Sequence, residues 1–209
     1  YGNEWPGRAD GNGSTLEIID PSGTYSHSDN WRSSHDFLGS PGRDGSAQSP
    51  EIVINEALTH TDLPQVDSIE LYNSTEKSVD ISVWWLTDNN NQHAKFQIPS
   101  GSVIAAGSYL IFNETDFNPT PLTPQEHHFS LNSAKGDDIY LLKGSIDNTR
   151  PLAFCDHVEF GAALNGVVFG RSPNGDTSAP FVPLNTNTLG EANSLPRFGP
   201  VIITEILAQ

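Results

Sequence analysis

The chain is short of sulfur and of long apolar runs. Its 209 residues contain no methionine and one cysteine, Cys155, so no disulfide can form within the chain. No run of apolar residues reaches the length of about 18 that a membrane span needs, and we expect no membrane insertion. Cys155 stands in the apolar stretch Leu-Ala-Phe-Cys, which favours a buried structural thiol.

Positive charge is also scarce. Ten Lys and Arg face 26 Asp and Glu, which gives a formal net charge of −16. Such a surface repels phosphate backbones and anionic membranes, so the composition argues against a nucleic-acid partner. It is compatible with a protein that binds cations.

Helix signals are missing, and turn signals are frequent. The chain has 18 Gly and 15 Pro, and its best helical window, residues 124–128, is one turn long. Short apolar stretches bounded by turn residues predict strands, which is typical of an antiparallel sandwich or barrel. The predicted strands are 51–58, 68–73, 78–88, 94–99, 108–113, 127–132, 137–144, 152–160 and 166–171.

Two local features refine this pattern. Val79, Ile81 and Val83 share one face of their strand, but the inward phase then restarts at Trp84. A bulge near Val83–Trp84 would explain the change of phase. The Asn-Gly pair within 164–167 predicts a tight hairpin.

Four consecutive motifs resemble the lamin tail domain family. They are IVINEAL (52–58), SIELYNSTEKSVDISVWWLTD (68–88), FQIPSGSVIAAGSYLIF (96–112) and GDDIYLL (136–142). The resemblance covers about 51–193 and implies an all-β, immunoglobulin-like antiparallel β-sandwich. It also implies a module of a bacterial, extracellular multidomain protein. Val83 stands where the family often has glycine, which bears on the local bulge.

The ends of the chain resemble parts of further units. GRSPNG (170–175) and LGEANS (189–194) resemble the closing turn and linker of this family, and GRADGNGSTLEII (7–19) and FLGSPG (37–42) resemble them again. The two opening strands are 201 − 52 = 149 residues apart, and the two Leu-Gly pairs are 189 − 38 = 151 apart.

These offsets predict a tandem array with a period near 150 residues. Residues 1–50 would be the C-terminal remnant of a preceding related unit plus a linker, and 51–194 would be one complete unit. Residues 195–209 would be a linker and the first strand of a following unit. We expect that strand either to pair with a neighbouring copy or with the 1–50 segment, or to follow a rigid linker into a complete next domain. Its apolar residues are Val201, Ile202, Ile203 and Ile206.

One loop has part of a calcium-binding pattern. Asp10, Asn12 and Ser14 stand at the first, third and fifth positions of a calcium loop. Thr15 then occupies the position where an EF-hand has glycine, and Pro21 the position of its last glutamate, which excludes an EF-hand. A looser Ca²⁺ contact through the three residues stays open.

Other candidate sites have a structural alternative. His127 and His128 are candidate metal ligands. Because they are adjacent, their side chains would point to opposite faces of a strand and could not easily bind one ion. Cys155, His157 and Glu159 share a strand face and are zinc-ligand types, but a mixed strand surface is favoured. Trp31, in a polar loop, is a candidate carbohydrate or partner contact, and packing on the sandwich edge is the alternative.

No hydrolase, metalloprotease or phosphate-binding motif is present in the sequence. We therefore expect no enzyme and no cofactor beyond a possible Ca²⁺ ion. The leading hypothesis is a non-catalytic structural, assembly or adhesion module of a large exported or cell-surface repeat protein. The alternative is an accessory domain of a secreted hydrolase or nuclease that binds glycan, Ca²⁺ or substrate. Nucleic-acid binding is a third hypothesis, which the charge disfavours.

Overall fold

The structure is a computed structural model that describes residues 5–43, 45, 50–59, 61–123, 125–145 and 150–199. Its strands, numbered in chain order, are β1 (Leu16–Ile18), β2 (Trp31–Ser33), β3 (Ile52–Leu58), β4 (Ser68–Asn73), β5 (Val79–Asp80), β6 (Trp85–Thr87), β7 (Phe96–Gln97), β8 (Val103–Ile104), β9 (Tyr109–Asn113), β10 (Asp137–Gly144), β11 (Pro151–Phe160), β12 (Val168–Arg171) and β13 (Phe181–Pro183). One short helix, α1 (Glu114–Phe117), follows β9, and 3₁₀ turns lie at Gly7–Ala9 and Ser28–Asn30.

Two antiparallel sheets form the body of the molecule. The five-stranded sheet has the order β13-β12-β3-β4-β9, and the four-stranded sheet has the order β11-β10-β6-β7. Their inner faces share one apolar core, with Ile52, Ile54, Ile69, Leu71 and Phe112 from the first and Leu86, Ile139, Leu141, Val158 and Phe160 from the second. Two sheets that bury such faces against each other form a β-sandwich, as predicted.

A bulge in β3 decides which side chains point outward. Ile54 pairs with Leu71, and the next pair along the ladder is Glu56 with Glu70, so Asn55 is the extra residue. The bulge keeps Ile54 in the core and places two glutamates opposite each other on the outer side of the five-stranded sheet.

Both outer faces of the sandwich carry a covering segment. Leu184 and residues that follow it lie over the five-stranded sheet, where Leu184 packs on Leu58 and Val168. On the other side, residues 35–37 pair with the edge strand β11, and the Phe37 ring packs on the outer face of the four-stranded sheet. Each sheet therefore buries part of both its faces.

Two predictions about local structure were wrong. Residues 127–132 form no strand; Phe129 and Leu131 are nevertheless buried, and Phe129 stacks on Phe117. Their alternating pattern reflects a loop that fills the core and has no partner strand. The Asn165–Gly166 pair does form a tight turn, in which Val167 N donates to Leu164 O (3.0 Å). The turn connects β11 to β12 across the two sheets, so it closes no hairpin.

The bulge predicted near Val83–Trp84, within one strand over 78–88, is instead a turn between strands of two different sheets: β5 pairs with β8 in a two-stranded sheet, and β6 belongs to the four-stranded sheet. Strand β5 ends at Asp80 and β6 begins at Trp85, and between them Val83 has a φ of 60°. This left-handed conformation is uncommon for a β-branched residue, because its Cβ crowds the backbone. Here it directs Trp84 into the core. Glycine would adopt this conformation without strain.

We therefore expect Val83→Gly to stabilise the protein. Relief of left-handed strain is worth roughly 1–2 kcal/mol, and the added flexibility of glycine in the unfolded chain costs about 0.5–1 kcal/mol. The free energy of unfolding should rise by up to about 1.5 kcal/mol in a urea titration. Val79→Gly is the matched control, because Val79 is also half-buried but lies in regular strand. It should lower stability, and a fall of equal size for Val83→Gly would contradict the strain assignment.

Candidate functional site

A buried ion pair joins the two sheets. Arg171 of β12 donates from Nη2 to both carboxylate oxygens of Asp156 on β11, at 2.8 and 2.9 Å. The two side chains are 3% and 7% exposed. Burial raises the pKa of the Asp156 carboxyl, and the Arg171 guanidinium acts against that rise. Because both charges are desolvated, each depends on the other.

The same pair holds the strand between them. Ile54 N donates to Asp156 Oδ2 (2.7 Å), and Arg171 Nε donates to Ile54 O (2.9 Å). Both backbone groups at the start of the β3 bulge are therefore bonded to a charged side chain. The ion pair thus fixes where the bulge occurs.

Three asparagines continue the network on the outer side of the five-stranded sheet. Asn55 Nδ2 donates to Asn193 Oδ1 (2.8 Å), and Asn55 Oδ1 accepts from Gly175 N (3.0 Å). Asn193 Nδ2 donates to the carbonyls of Asn55 and Arg171, at 2.9 and 2.8 Å, and its N–H donates to Asn174 Oδ1. These bonds attach the closing turn after β12 and the C-terminal segment to the bulge.

The two outer glutamates hold the turn at 187–190. Glu56 accepts from both Thr188 N (2.9 Å) and the Thr188 hydroxyl. Glu70 accepts from Asn55 Nδ2 (2.8 Å) and from Gly190 N. Burial raises the pKa of Glu56, and burial, aided by the charge of Glu56, raises the pKa of Glu70 to about 7.

The network is a structural site. It gathers residues from four separate motifs, Ile-Asn-Glu, Glu-Leu-Tyr-Asn, Gly-Arg and Ala-Asn-Ser. Their polar groups bond one another and the backbone, and so satisfy groups that burial would otherwise leave unpaired. The arrangement locks the C-terminal segment onto the sandwich.

A second site lies where the N-terminal segment meets β11. Phe37 N donates to Leu152 O (2.9 Å), Phe154 N donates to His35 O (2.8 Å), and Asp36 pairs with Ala153 as an antiparallel bridge. Strand β11 is the edge of the four-stranded sheet. Residues 35–37 therefore extend that sheet by strand addition. We call this contact the junction.

Aromatic rings fill the junction. Phe37 lies 5.1 Å from His93 and 5.8 Å from Phe154, measured between ring centres, and His93 lies 5.4 Å from Phe154. Phe37 and Trp85 pack against the buried cluster of Tyr140, Leu142 and Phe154. The outer face of the four-stranded sheet is thus a small second core, closed by Phe37.

His93 is the titratable group at its centre. The ring is buried, and its Nε2 has no hydrogen-bond partner among the residues that the structure describes. Burial lowers the pKa of His93, with a backbone bond to Asn12 acting in the opposite direction. Burial also lowers the pKa of His35, helped by the nearby charges of Arg8 and Lys143 and opposed by Asp36 and Glu17.

The candidate calcium residues use their side chains within the chain. Asn12 Nδ2 donates to Gly7 O (3.1 Å), the Ser14 hydroxyl donates to Ser34 O (3.1 Å), and Asp10 is exposed. Among the described residues no group of three or more His, Cys, Asp or Glu side chains is placed to hold a metal ion. A Ca²⁺ contact through Asp10, Asn12 and Ser14 stays a prediction.

Trp31 lies in a group of three aromatic rings. Its ring centre is 6.2 Å from that of Trp5 and 5.9 Å from that of Tyr25, and the planes are inclined by 49° and 76°. Its Nε1 donates to Tyr25 O (2.9 Å). These contacts pack Trp31 within the N-terminal segment, and a role in contacting a partner stays a prediction.

The remaining candidates are spread over the fold. His127 and His128 lie edge to face, with ring centres 5.0 Å apart, in an irregular loop. His157 Nε2 lies 2.6 Å from Asp138 Oδ1, on the strand face that Glu159 shares. Contrary to the prediction, Cys155 does not share that face, because a register shift in β11 turns it toward the main core. Burial raises the pKa of its thiol to about 12, as expected for a structural thiol.

Two expectations concern other parts of the chain. Val201, Ile202, Ile203 and Ile206 lie outside the described residues, so their pairing stays a prediction. Within the described ranges, no helix has the length and apolarity to cross a membrane.

The polar network and the junction were both missed by the sequence reasoning. Glu56 and Glu70 belong to the quoted motifs, and two acidic residues within otherwise apolar strands were a usable signal. Nothing in the pattern marked Phe37 or His93, because their contacts join segments more than 50 residues apart.

A family model described as Lamin Tail Domain matches residues 45–152, just over half of the chain. It spans β3 through β10 and the first residues of β11. No curated protein and no solved structure matches the chain.

Removing one charge of the ion pair should strongly destabilise the protein. Asp156→Asn keeps the shape of the side chain but leaves Arg171 as an unpaired buried cation, which costs about 3–5 kcal/mol. A urea titration would measure the loss. The control is the double variant Arg171→Met with Asp156→Leu, which buries no charge and should lose less. A smaller loss for the single variant than for the double variant would contradict this role.

The junction should weaken on acidification. Because the folded-state pKa of His93 lies below its unfolded value of about 6.5, the neutral ring contributes stability above that pH, and the contribution is lost as pH falls below it. His35 acts in the same direction. Glu70 acts oppositely, since its raised pKa gives stability below about 4.5 that is lost as pH rises through about 7.

The comparison of variants separates these effects. His93→Phe keeps an aromatic ring and removes the titration, so its melting temperature should fall less than that of the parent between about pH 8 and about pH 5. The exposed His127→Phe is the control and should behave as the parent. Equal slopes for His93→Phe and the parent would refute the assignment to His93.

Proposed function

The chain belongs to the lamin tail domain family, and from that premise we propose that it is a structural unit of a tandem array. The family is a non-enzymatic, immunoglobulin-like module. In the proposal the parent is a large exported or cell-surface bacterial protein, in which such units serve assembly or adhesion. The partners are neighbouring units of the same protein.

The junction is the observation that carries the proposal. Residues resembling the end of a preceding unit pair with the edge of β11 through the bonds of His35 and Phe37. An uncovered edge strand is a site for uncontrolled pairing, so a covering segment protects it. When the edge strand of a unit pairs with the linker of the preceding unit, this contact connects the two units and also protects the edge.

The N-terminal segment is also held internally. Strands β1 and β2 pair, Leu38 N donates to Gly13 O (2.7 Å), and Arg32 pairs with Glu17 (3.3 Å). Flexible linkers have few such bonds. The segment supports a stiff connection between units.

The contacts of the motif residues favour a structural role over an accessory binding role. The residues that the family motifs bring together, such as Asn55 and Glu70, bond to the chain itself. The net charge of −16 supports a well-solvated surface and opposes binding to nucleic acids. Calorimetry with Ca²⁺ and a glycan array test the accessory binding role. Heat of Ca²⁺ binding or a specific glycan hit would support that role.

Hydrogen–deuterium exchange tests the junction directly. Phe37→Ala removes the ring that closes the second core, so the amides of Phe37 and Phe154 should exchange more than about tenfold faster. The amide of Ile54, bonded to Asp156, should keep its protection. Leu38→Ala is the control, because that neighbouring side chain is 64% exposed. Free exchange of both junction amides in the parent protein would remove the basis of the proposal.

A further inference from the structure

A cleft opens between the N-terminal segment and the outer face of the four-stranded sheet. It encloses about 600 Å³, which lies within the range of small-molecule binding sites. The 3₁₀ turn at Gly7–Ala9 and strand β2 form one wall, and β10, β11 and the loop after β6 form the other. The side chains that give the cleft its chemistry are polar or charged: Arg8, Asn12, Asn90, Asp138, His157 and Glu159.

Arg8 is the group whose charge the cleft leaves uncompensated. Its Nη2 donates to Ser34 O at 3.3 Å, while Nη1 and the buried Nε have no partner among the described residues. Within that part of the chain it forms no ion pair with a carboxylate. Burial lowers the pKa of Arg8, the direction expected for a desolvated cation. A half-buried guanidinium with N–H groups to spare favours a carboxylate ligand, which it can bind through two parallel hydrogen bonds.

The opposite wall suits hydroxyl groups. Asp138 Oδ1 lies 2.6 Å from His157 Nε2, and Glu159 stands directly across the ladder from Asp138. Carboxylates accept hydrogen bonds from hydroxyls and repel a doubly charged phosphate group. Asn12 and Asn90 add amide groups, which can both donate and accept. The two walls together fit a ligand that has one carboxylate and several hydroxyls.

The walls are held in place by contacts within the chain. A Cβ atom on Gly13 would lie 2.6 Å from Phe37 Cε2, so the backbone after Arg8 rests directly on the rings of the junction. The Arg8 guanidinium lies 4.7 Å from the ring centre of Phe154. The His157 ring lies flat on that of Tyr140, with centres 4.2 Å apart and planes inclined by 6°. Walls that are already fixed lower the entropic cost of binding.

We propose that this cleft binds a glycan with a carboxylated sugar, whose carboxylate pairs with Arg8 and whose hydroxyls bond to the wall of Asp138, His157 and Asn90. The inference rests on the adhesion role proposed above and names its surface and the chemistry of its ligand. The net charge of −16 repels a long polyanion. The acidic sugar is therefore a terminal or isolated residue of the glycan, and a polyuronate chain is disfavoured.

Calorimetry with matched sugars tests the ligand class. Cellobiouronic acid differs from cellobiose by a carboxylate in place of a hydroxymethyl group, and sialyllactose adds an acidic sugar to lactose. At least one of the two acids should bind more than about tenfold more tightly than its neutral counterpart, because only the acid pairs with Arg8.

Three results would overturn this assignment. The first is that neither acidic sugar binds, and the second is that the neutral sugars bind as tightly as the acids. The third concerns triglycine, which has a carboxylate and no sugar hydroxyls. Tighter binding of triglycine than of both acidic sugars would replace the glycan by a peptide ligand.

Variants of Arg8 locate the binding site. Arg8→Ala should weaken binding of the acidic sugar by more than about tenfold, and Arg8→Lys, which keeps the charge without the planar fork, should give an intermediate loss. Arg43→Ala is the control, because Arg43 belongs to the same segment, is 72% exposed and lies outside the cleft. It should bind as the parent does. Equal affinity of Arg8→Ala and the parent would place the sugar elsewhere and overturn the inference.

A variant of the opposite wall covers the case in which Arg8→Ala disturbs the N-terminal segment. Asn90→Asp keeps the shape of the side chain and adds a negative charge, so it should weaken binding of the acidic sugar and leave the melting temperature near that of the parent. Unchanged affinity would contradict the cleft as the site.

Hydrogen–deuterium exchange separates failure of this inference from failure of the proposed function. Protected amides at Phe37 and Phe154, in a chain that binds neither acidic sugar, would overturn the glycan site and leave the structural role standing. Free exchange of both amides would remove the junction, and with it the fixed wall that carries Arg8. In the parent, a bound acidic sugar should slow exchange of both amides, because the ligand contacts both walls.

Discussion

The buried pair of Arg171 and Asp156 is the constraint on which the rest of the sandwich depends. It connects strands of opposite sheets and bonds both backbone groups of Ile54. Desolvation makes each charge costly alone, so the chain must bring β11, β12 and β3 together at one point. The bulge at Asn55 follows from that point, and it turns Glu56 and Glu70 outward to receive the C-terminal segment.

Different interactions hold the two ends of the described chain in place. The C-terminal segment is attached through hydrogen bonds to desolvated carboxylates and amides, which specify one geometry. The N-terminal segment is attached by three residues of strand addition and by the packing of Phe37 between rings.

Most of the fold could be predicted from the sequence, but the two sites could not. Strands such as 68–73 and 137–144 were predicted to the residue, because turn residues bound them and apolar residues recur within them. Residues 127–132 were wrongly predicted to form a strand, since Phe129 and Leu131 are buried in a loop that makes no strand pairing. The contact of Phe37 with His93 and the meeting of Asn55 with Asn193 depend on long-range packing, which local pattern does not encode.

Residual dipolar couplings measure whether the junction holds the N-terminal segment rigidly on the sandwich. Amide couplings from residues 16–18 and 31–37 would be compared with those from the two sheets in one weakly aligned sample. A single alignment tensor should fit both sets, because the backbone bonds and the ring contacts fix the N-terminal segment on β11. Two independent tensors, with the N-terminal set reduced by averaging, would contradict it.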